Sequence, residues 1–597
     1  MKTKKYQNQF NGGRNSMDIF SFITLFGGLA FFLYGMNVMS NGLEKIAGGK
    51  LEVILKKLTS NVFKSMALGA VITIAIQSSS ALTVMLVGLV NSGIIDLSGT
   101  IGVIMGSNIG TTLTAWILSL AGIESSNVFL RLLKPDSFAP AFAFVGILLI
   151  MCSKKPQKID IGKVLVGFSV LMYGMELMSS AVEPLADMPE FSSILTAFTN
   201  PILGVLVGAV FTGIIQSSAA TIGILQALSL TGSITYSMAI PIVMGLNIGT
   251  CVTALLSSIG VNKNAKRVSA VHVSFNVIGT VVCLAVFYAL NAIFKFEFVN
   301  EAVAPVGVAV VHSLFNIITT FILIPFTKQL EKLACIIVPG GNENERTELL
   351  DERLLTSPSI AIARCKELTD EMAKISSESF KKSLSLISAF NDGIAAEIDE
   401  NESITDMYED KLGSYLVKIS HKSLSQTDGH RASNLLHTIG DFERIGDHAT
   451  DMVKAAKEIH EKGIIFSDEA NKEIATISAA LTEILDLTIE AFVNENLEIA
   501  KHIEPLEQVV DKLKYTMKNA HIARLQKGNC TIETGFVFND LLTNFARVAD
   551  HCSNVAVCLI QVADDNFDTH KYLNNVKSHG DQSFDDMYKA YKQKYAI

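Results

Sequence analysis

Four polar residues, Gln77-Ser78-Ser79-Ser80, interrupt a long apolar stretch of the chain, and they return as Gln216-Ser217-Ser218-Ala219 at an offset of 139 residues. Three neighbouring hydroxyls and an amide supply donors and acceptors together. A serine run in apolar sequence also favours a helix break or N-cap, where unpaired backbone N–H groups and the positive end of a helix dipole face a ligand. Such an end holds a phosphate-like anion without a buried Arg or Lys, and no fixed cation lies near either motif. The opposite ends present carbonyl oxygens, which together with Gln, Asn, Ser and Thr oxygens suit a cation such as sodium. After a further 25 residues each motif is followed by Gly-x-Asn-Ile-Gly-Thr, so Asn108, Thr111, Thr112, Asn247 and Thr250 complete a candidate polar lining. The two motifs differ at one place: Ala219 stands where repeat one has Ser80, and has no hydroxyl.

The elements that must position these residues are themselves duplicated. Tyr34-Gly35-Met36 recurs as Tyr173-Gly174-Met175 at the same offset, with no gap between these blocks and the serine motifs. From Phe191 through Asn262 there is no Asp, Glu, Lys, Arg or His, and from Ser65 through Ala115 the only charge is Asp96. These segments can lie in hydrocarbon without stranded charges. Interruptions at Gln77–Ser80, Asn91–Gly93 and Gly106–Gly110 divide the first of them into pieces shorter than the ~20 residues of a full span. Short apolar pieces suggest re-entrant hairpins, tolerated at membrane depth only where protein or a wet cavity surrounds them. Duplicated apolar units with polar, Gly-rich breaks mark a secondary transporter that binds its substrate where the broken helices meet. Two further spans, about Val268–Phe294 and Val303–Phe326, share His272-x-x-Phe275-Asn276 and His312-x-x-Phe315-Asn316. Those residues either pack the helices through interhelical hydrogen bonds or line the transport path.

At 597 residues with 49% hydrophobic content, the chain is too long for one core and too apolar for an ordinary soluble protein. Beyond about Gly340 the apolar runs stop and hydrophobic residues fall at helical spacing, as in a water-soluble helical bundle. The expected organisation is an extension over 1–17, membrane repeat one over 18–160, and repeat two with its following spans over 161–340. A linker (341–357), a helical domain (358–564) and a polar, loosely ordered tail (565–597) follow. The fold class is all-α: a polytopic membrane transporter of two inverted repeats with re-entrant helical hairpins, joined to a soluble bundle. The net charge of −9 argues against a nucleic-acid partner. Eight cysteines lack any C-x-x-C spacing, which fits a reducing cytoplasm and not structural zinc. Lys154, Lys155, Lys158, Lys263, Lys266 and Arg267 assign their loops to the cytoplasm by the positive-inside rule. The basic cluster from Lys45 to Lys64 and the basic amino terminus cannot both obey that rule if the first helix spans. No nucleophile and base pairing and no phosphate loop of glycines with Lys is present, so an enzyme is not expected.

The bundle is duplicated too. Arg444-x-x-Asp447-His448 corresponds to Arg547-x-x-Asp550-His551 at an offset of 103, with Glu402-x-x-x-Asp406 and Glu507-x-x-x-Asp511 upstream. Glu402 and Asp406, like Glu443 and Asp447, lie at i and i+4 and project side by side, and their oxygens suit hard cations. In the second unit Ala546 replaces Glu443.

The paired Q-S-S-S/Q-S-S-A and G-x-N-I-G-T motifs resemble the sodium/phosphate cotransporter family, over roughly residues 20–335. The resemblance implies sodium-driven uptake of inorganic phosphate across the inner (plasma) membrane by alternating access. Gln77, Ser78, Ser79, Ser80, Gln216, Ser217 and Ser218 are the binding residues it carries over, and sodium is the coupling ion. The carboxyl-terminal domain resembles PhoU through Glu443-Arg444-Ile445-Gly446-Asp447-His448 and Arg547-Val548-Ala549-Asp550-His551. That resemblance implies a cytoplasmic regulator of two three-helix units. Each unit would hold a divalent or transition metal on an acidic face, with Glu402, Asp406, Glu443 and Asp447 as candidate ligands. A homo-oligomer or a cytoplasmic partner is compatible with it. Two alternatives stay open: a carrier of another anion or solute, and a membrane phosphate sensor without net flux.

Overall fold

The computed structural model describes residues 19–47, 61–120, 135–183, 199–340, 349–422, 424–528, 530–563 and 582–597. Among them there is no β-strand, only an isolated bridge between Thr235 and Ala302. The chain divides into two units, Met1–Ile360 and Ala361–Ile597.

The first unit contains α1 (Ile19–Ala47), α2 (Val62–Ile76), α3 (Ser79–Asn91), α4 (Leu97–Ser119), α5 (Pro135–Cys152) and α6 (Pro156–Val182). After these come α7 (Pro201–Ile215), α8 (Ser218–Ser229), α9 (Tyr236–Gly249), α10 (Cys251–Ser257), α11 (Lys263–Phe294), α12 (Pro305–Leu323) and α13 (Thr327–Ile337). Among the described residues, six helical stretches are long and apolar enough to cross a membrane, whereas α2, α3, α7 and α8 are shorter apolar helices. Many large apolar side chains on α1, α7 and α11 face outward, including Phe20, Phe26, Ile202, Ile214 and Ile293, as lipid-facing positions require.

Glycines set the packing. A Cβ at Gly28 would lie 2.9 Å from the Gly174 carbonyl oxygen, one at Gly35 2.3 Å from the Leu171 nitrogen and 2.6 Å from the Gly167 oxygen, and one at Gly42 3.1 Å from the Asp160 oxygen. Numbers rise along α1 as they fall along α6, so the two helices run antiparallel at backbone contact. Gly28 is the repeat equivalent of Gly167, and Gly35 of Gly174. The pairs Gly28–Gly174 and Gly35–Gly167 therefore exchange under a two-fold operation. By the same measure α2 runs parallel to α4, through Gly69, Gly106 and Gly110, and α7 parallel to α9, through Gly208, Gly245 and Gly249.

One expected interruption is not a break. Helix α4 continues through Gly106–Gly110, because these glycines admit the α2 backbone: a Cβ at Gly106 would sit 1.8 Å from the Met66 oxygen. Close approach, not a turn, is what the sequence signals there. In repeat two the corresponding stretch does divide, into α9 and α10 at Thr250.

The second unit contains all but the first three residues of α14 (Pro358–Leu386), then α15 (Asp392–Ser420), α16 (Gln426–Lys462), α17 (Asp468–Val493), α18 (Leu497–Ala500), α19 (Ile503–Gln526) and α20 (Ile532–Ala563). Its core is built from Phe380, Leu412, Phe442, Ile484, Phe492, Val510, Phe538 and Phe545, each 2% exposed or less. Part of the polar tail is helical, as α21 (Gln582–Lys594). Lys594 pairs with Glu483 at 2.8 Å, Tyr595 donates to the same carboxylate, and Tyr591 meets His502 at 3.3 Å, so two tyrosines and a lysine anchor a segment whose composition alone reads as loose. Residues 564–581 lie outside the described residues.

Candidate functional site

Each serine motif is a hinge between two short helices. Gln77 closes α2 in the left-handed conformation, φ 55° and ψ 24°, and Gln216 closes α7 at φ 56° and ψ 24°. Non-glycine residues seldom adopt such angles, and the described residues contain only two others, Lys295 and Glu495. Ser78 and Ser217 then take extended backbone and cap the next helix, their Oγ atoms accepting from Ala81 N at 3.1 Å and Ala220 N at 3.2 Å. An N-cap bond of this kind satisfies one first-turn donor, while those of Ser79 and Ser80, and of Ser218 and Ala219, have no carbonyl within their own helix to reach. Ser79 and Ser218 are buried; Ser78, Ser80 and Ser217 are half-buried.

The surroundings of the two hinges differ, and sequence explains how. Thr73 and Thr212 are repeat equivalents, yet Thr73 donates to Ser107 on α4 at 2.9 Å while Thr212 donates to Thr221 on α8 at 3.2 Å. Leu246 occupies the position of Ser107, and Leu82 that of Thr221, so each threonine takes the only equivalent hydroxyl its repeat retains. Gln77 is held by Thr114, which donates to Oε1 at 2.9 Å. The equivalent Thr253 turns to the Thr250 carbonyl instead, at 2.9 Å, and Gln216 is exposed.

The asparagines of the second motif are tied to the two following spans. Asn108 Nδ2 donates to Asn276 Oδ1 at 3.4 Å, and Asn247 Nδ2 to Asn316 Oδ1 at 2.6 Å, with His312 Nε2 3.3 Å from Asn247 Oδ1. Asn276 and Asn316 also donate to the carbonyls of His272 and His312, at 3.0 and 2.9 Å. All four asparagines are at most 5% exposed, and the duplicated His-x-x-Phe-Asn pattern is the sequence signal for the pair on α11 and α12. The hydroxyls of Thr111, Thr112 and Thr250 donate to carbonyls of their own helices, at 3.0, 2.7 and 2.6 Å. Gln226 is a buried member that no repeat pattern signals, since Val87 is its equivalent. Its Nε2 reaches Ala115 O at 3.0 Å and Pro305 O at 2.9 Å, binding the repeat-two hairpin to α4 and α12.

In the second unit the candidate ligands share one acidic face. Burial, then Asp447, with Asp406 contributing, pushes the Glu443 carboxyl up to about 7. Burial, then Asp406 and Asp447, also raises Glu402. Arg444 offsets part of this charge, lying 3.5 Å from Glu443 and 3.2 Å from Asp447. Among the described residues no three His, Cys, Asp or Glu side chains are grouped closely enough to hold a metal ion. In the second half, where Ala546 stands in the place of Glu443, Asp550 is raised by burial and then by Asp511. Between the halves, His448 meets Asn544 and His551 meets Asp441, both at 2.9 Å, a reciprocal pair of contacts across the duplication.

A duplicated helical membrane unit with mirrored polar hinges, followed by a duplicated helical bundle, defines a secondary transporter with an appended bundle domain. The first unit matches the model of the Na+/Pi-cotransporter family, over residues 31–180 and again over 170–312. Its second unit carries two PhoU domains, at 369–456 and 474–559. Among its relatives is a Salmonella typhimurium protein, YjbB, named as a candidate for inorganic phosphate export. It is 23% identical over 572 residues, covering 92% of this chain and 99% of that one. An uncharacterized Bacillus subtilis protein, YqeW, is 29% identical over 315 residues, 52% of this chain and 96% of that protein. The rat sodium-dependent phosphate transport protein 2A is 31% identical over 130 residues, 21% of this chain and 20% of that protein.

Proposed function

We propose that this protein moves inorganic phosphate across the membrane in symport with sodium, by alternating access, and that Gln77–Ser80 and Gln216–Ser218 bind the substrate. The observation that carries this reading is the matched pair of left-handed, serine-capped hinges on repeats whose first helices pack antiparallel about a pseudo-two-fold. Helices of 15 and 13 residues, and of 15 and 12, are too short to span. The two hairpins are therefore re-entrant, and antiparallel repeats bring them in from opposite faces as an inverted repeat. Paired first-turn N–H groups and serine hydroxyls accept the oxyanion without an ionised partner. The asparagine pairs Asn108–Asn276 and Asn247–Asn316 join the hinge-bearing repeats to α11 and α12, so binding at a hinge biases those helices. Sodium offsets the anion's charge, and the empty and fully loaded carriers cross more readily than the partly loaded one.

The loops with Lys154, Lys155, Lys158, Lys263 and Lys266 face the cytoplasm of the inner membrane, as does the PhoU unit, which regulates flux. Glu402, Asp406, Glu443 and Asp447 are donors of the type hard cations take, and although they are not drawn together into a closed ligand set, the like charge on their shared face attracts cations. An inward sodium gradient drives uptake. The second reading, net export, is favoured by the name of the Salmonella relative that spans nearly the whole chain.

Purified full-length protein in liposomes, with labelled phosphate and imposed gradients, tests both. Uptake that follows inward sodium and stops when choline replaces it supports the symport. Equal uptake in choline overturns sodium coupling, and accumulation only on the side opposite the PhoU unit selects export. Ser79→Ala and Ser218→Ala should each lower phosphate affinity roughly ten-fold or more, the worth of one hydrogen bond to a charged ligand. Unchanged affinity in both variants moves the site elsewhere.

A further inference from the structure

The last residues of the first unit form a strap across one end of both repeats. Asp351, fully buried, accepts from Asn91 Nδ2 at 2.6 Å, and Asn91 is the last residue of the repeat-one hairpin arm α3. Asn91 in turn accepts from Asn262 N at 2.9 Å and its carbonyl from Asn262 Nδ2 at 3.0 Å, where Asn262 caps α11. Arg353 pairs with Asp351 at 3.2 Å and extends to repeat two, donating to the Ser257 and Ile259 carbonyls, each at 2.7 Å. The first of those carbonyls ends α10, the continuation of the helix that carries Asn247, and the second lies in the turn just after it. Leu354, also fully buried, covers Gly88: a Cβ there would lie 3.1 Å from Leu354 Cδ2 and 3.2 Å from Arg353 Cβ.

A short turn, Glu352–Thr356, thus joins the ends of two helices, one from each repeat, that alternating access must separate on this side. Ser357 N bonds back to Leu354 O at 2.9 Å, and Pro358 begins the first PhoU-unit helix. Any pull on α14 is delivered directly to the strap. Asp351 is buried and pairs with the half-buried Arg353, so removing either one leaves the other without its counter-charge and favours release of the segment.

We propose that residues 351–357 are a latch that holds this face of the transporter closed, and that the PhoU unit governs flux by releasing it. The inference rests on the transport reading above, and its test has one arm that does not.

In full-length protein carrying Gly88→Cys, an impermeant maleimide added from the PhoU side reports strap release without reference to transport. Arg353→Ala and Asp351→Asn should each speed labelling roughly ten-fold or more, the consequence of losing a charge-assisted cluster. Labelling at the parent rate in both variants overturns the latch. Oxidising a Gly88→Cys/Arg353→Cys pair to its disulfide should stop phosphate flux in liposomes, with reduction restoring it. Flux that is the same oxidised and reduced, in protein shown to be cross-linked, means the strap need not move and overturns the proposal. Absence of phosphate flux from the parent itself refutes the transport reading instead, and the labelling arm still decides whether the strap detaches.

Discussion

Glu443→Gln converts the crowding of the acidic face into a measurable quantity. Glu443 is held at about 7, against an ordinary 4.5, mainly by burial and then by the neighbouring Asp447. Its side chain is 19% exposed, so solvent does little to mask the effect. A rise of about 2.5 units at 1.36 kcal/mol each sets an upper limit of about 3 kcal/mol. Because Asp447 and Asp406 share the interaction, about 1–3 kcal/mol is expected for this residue. The sign follows from proton linkage: between 4.5 and 7 the folded unit binds more protons than the unfolded chain. Stability is therefore fully present below 4.5 and is lost as pH rises through 7. Glutamine keeps the shape and removes the charge, so the variant should be more stable than the parent at pH 8 and lose that advantage towards pH 5. Hydrogen exchange of α15 and α16 amides in the full-length protein reads this directly. A hard divalent cation at pH 8 should narrow the gap by stabilising the parent more than the variant. Equal protection at pH 8, or a gain independent of pH, refutes the electrostatic reasoning.

Two further outcomes test the membrane unit. Asn316→Leu leaves Asn247 Nδ2 unpaired in a buried site, at a cost of about 1–3 kcal/mol. Sodium-dependent phosphate flux should fall sharply while Asn316→Gln retains part of it, checked by uptake and by thermal unfolding in detergent. Gly35→Leu forces a side chain where a Cβ alone would be 2.3 Å from the Leu171 nitrogen. It should separate α1 from α6 at a cost of several kcal/mol, seen as a lowered melting temperature. An unchanged melting temperature would contradict the antiparallel glycine contact.

Much of this architecture was readable because duplication is visible in sequence as identity at one offset. The 139-residue register that pairs Gln77 with Gln216 also pairs their backbone angles, which agree within one degree. The sequence marked where a polar hinge lies but not which neighbour it engages. Thr73 and Thr212 are identical residues in identical register, and their partners differ because of a Leu on another helix in each case. Glycine carries the same ambiguity: Gly106 and Gly110 read as a break and act as a contact surface, since a missing side chain permits either. Gln226 was invisible for the opposite reason, being unique to repeat two, and the strap because nothing in the composition of residues 349–357 distinguishes a docked segment from a linker.

The departures from symmetry bear on mechanism more than the symmetry does. Two equivalent hinges would give both membrane faces the same barrier, and a carrier built that way would have no side on which to be controlled. Here repeat two lacks the hydroxyl of Ser80 and exposes Gln216, whereas Gln77 is fixed by Thr114. The repeat-one hinge is the better-organised half of the polar site, and α3, the arm that begins at it, ends on Asn91 beneath Asp351. Rigidity at the hinge and the strap at the far end thus act on the same 13-residue helix. A helix that short transmits a displacement at one end to the other with little loss, because its backbone bonds are internal. Control applied at the strap therefore acts on the arm that carries Ser79 and Ser80, so the element adjoining the PhoU unit reaches the repeat-one hinge without a longer relay through the membrane unit.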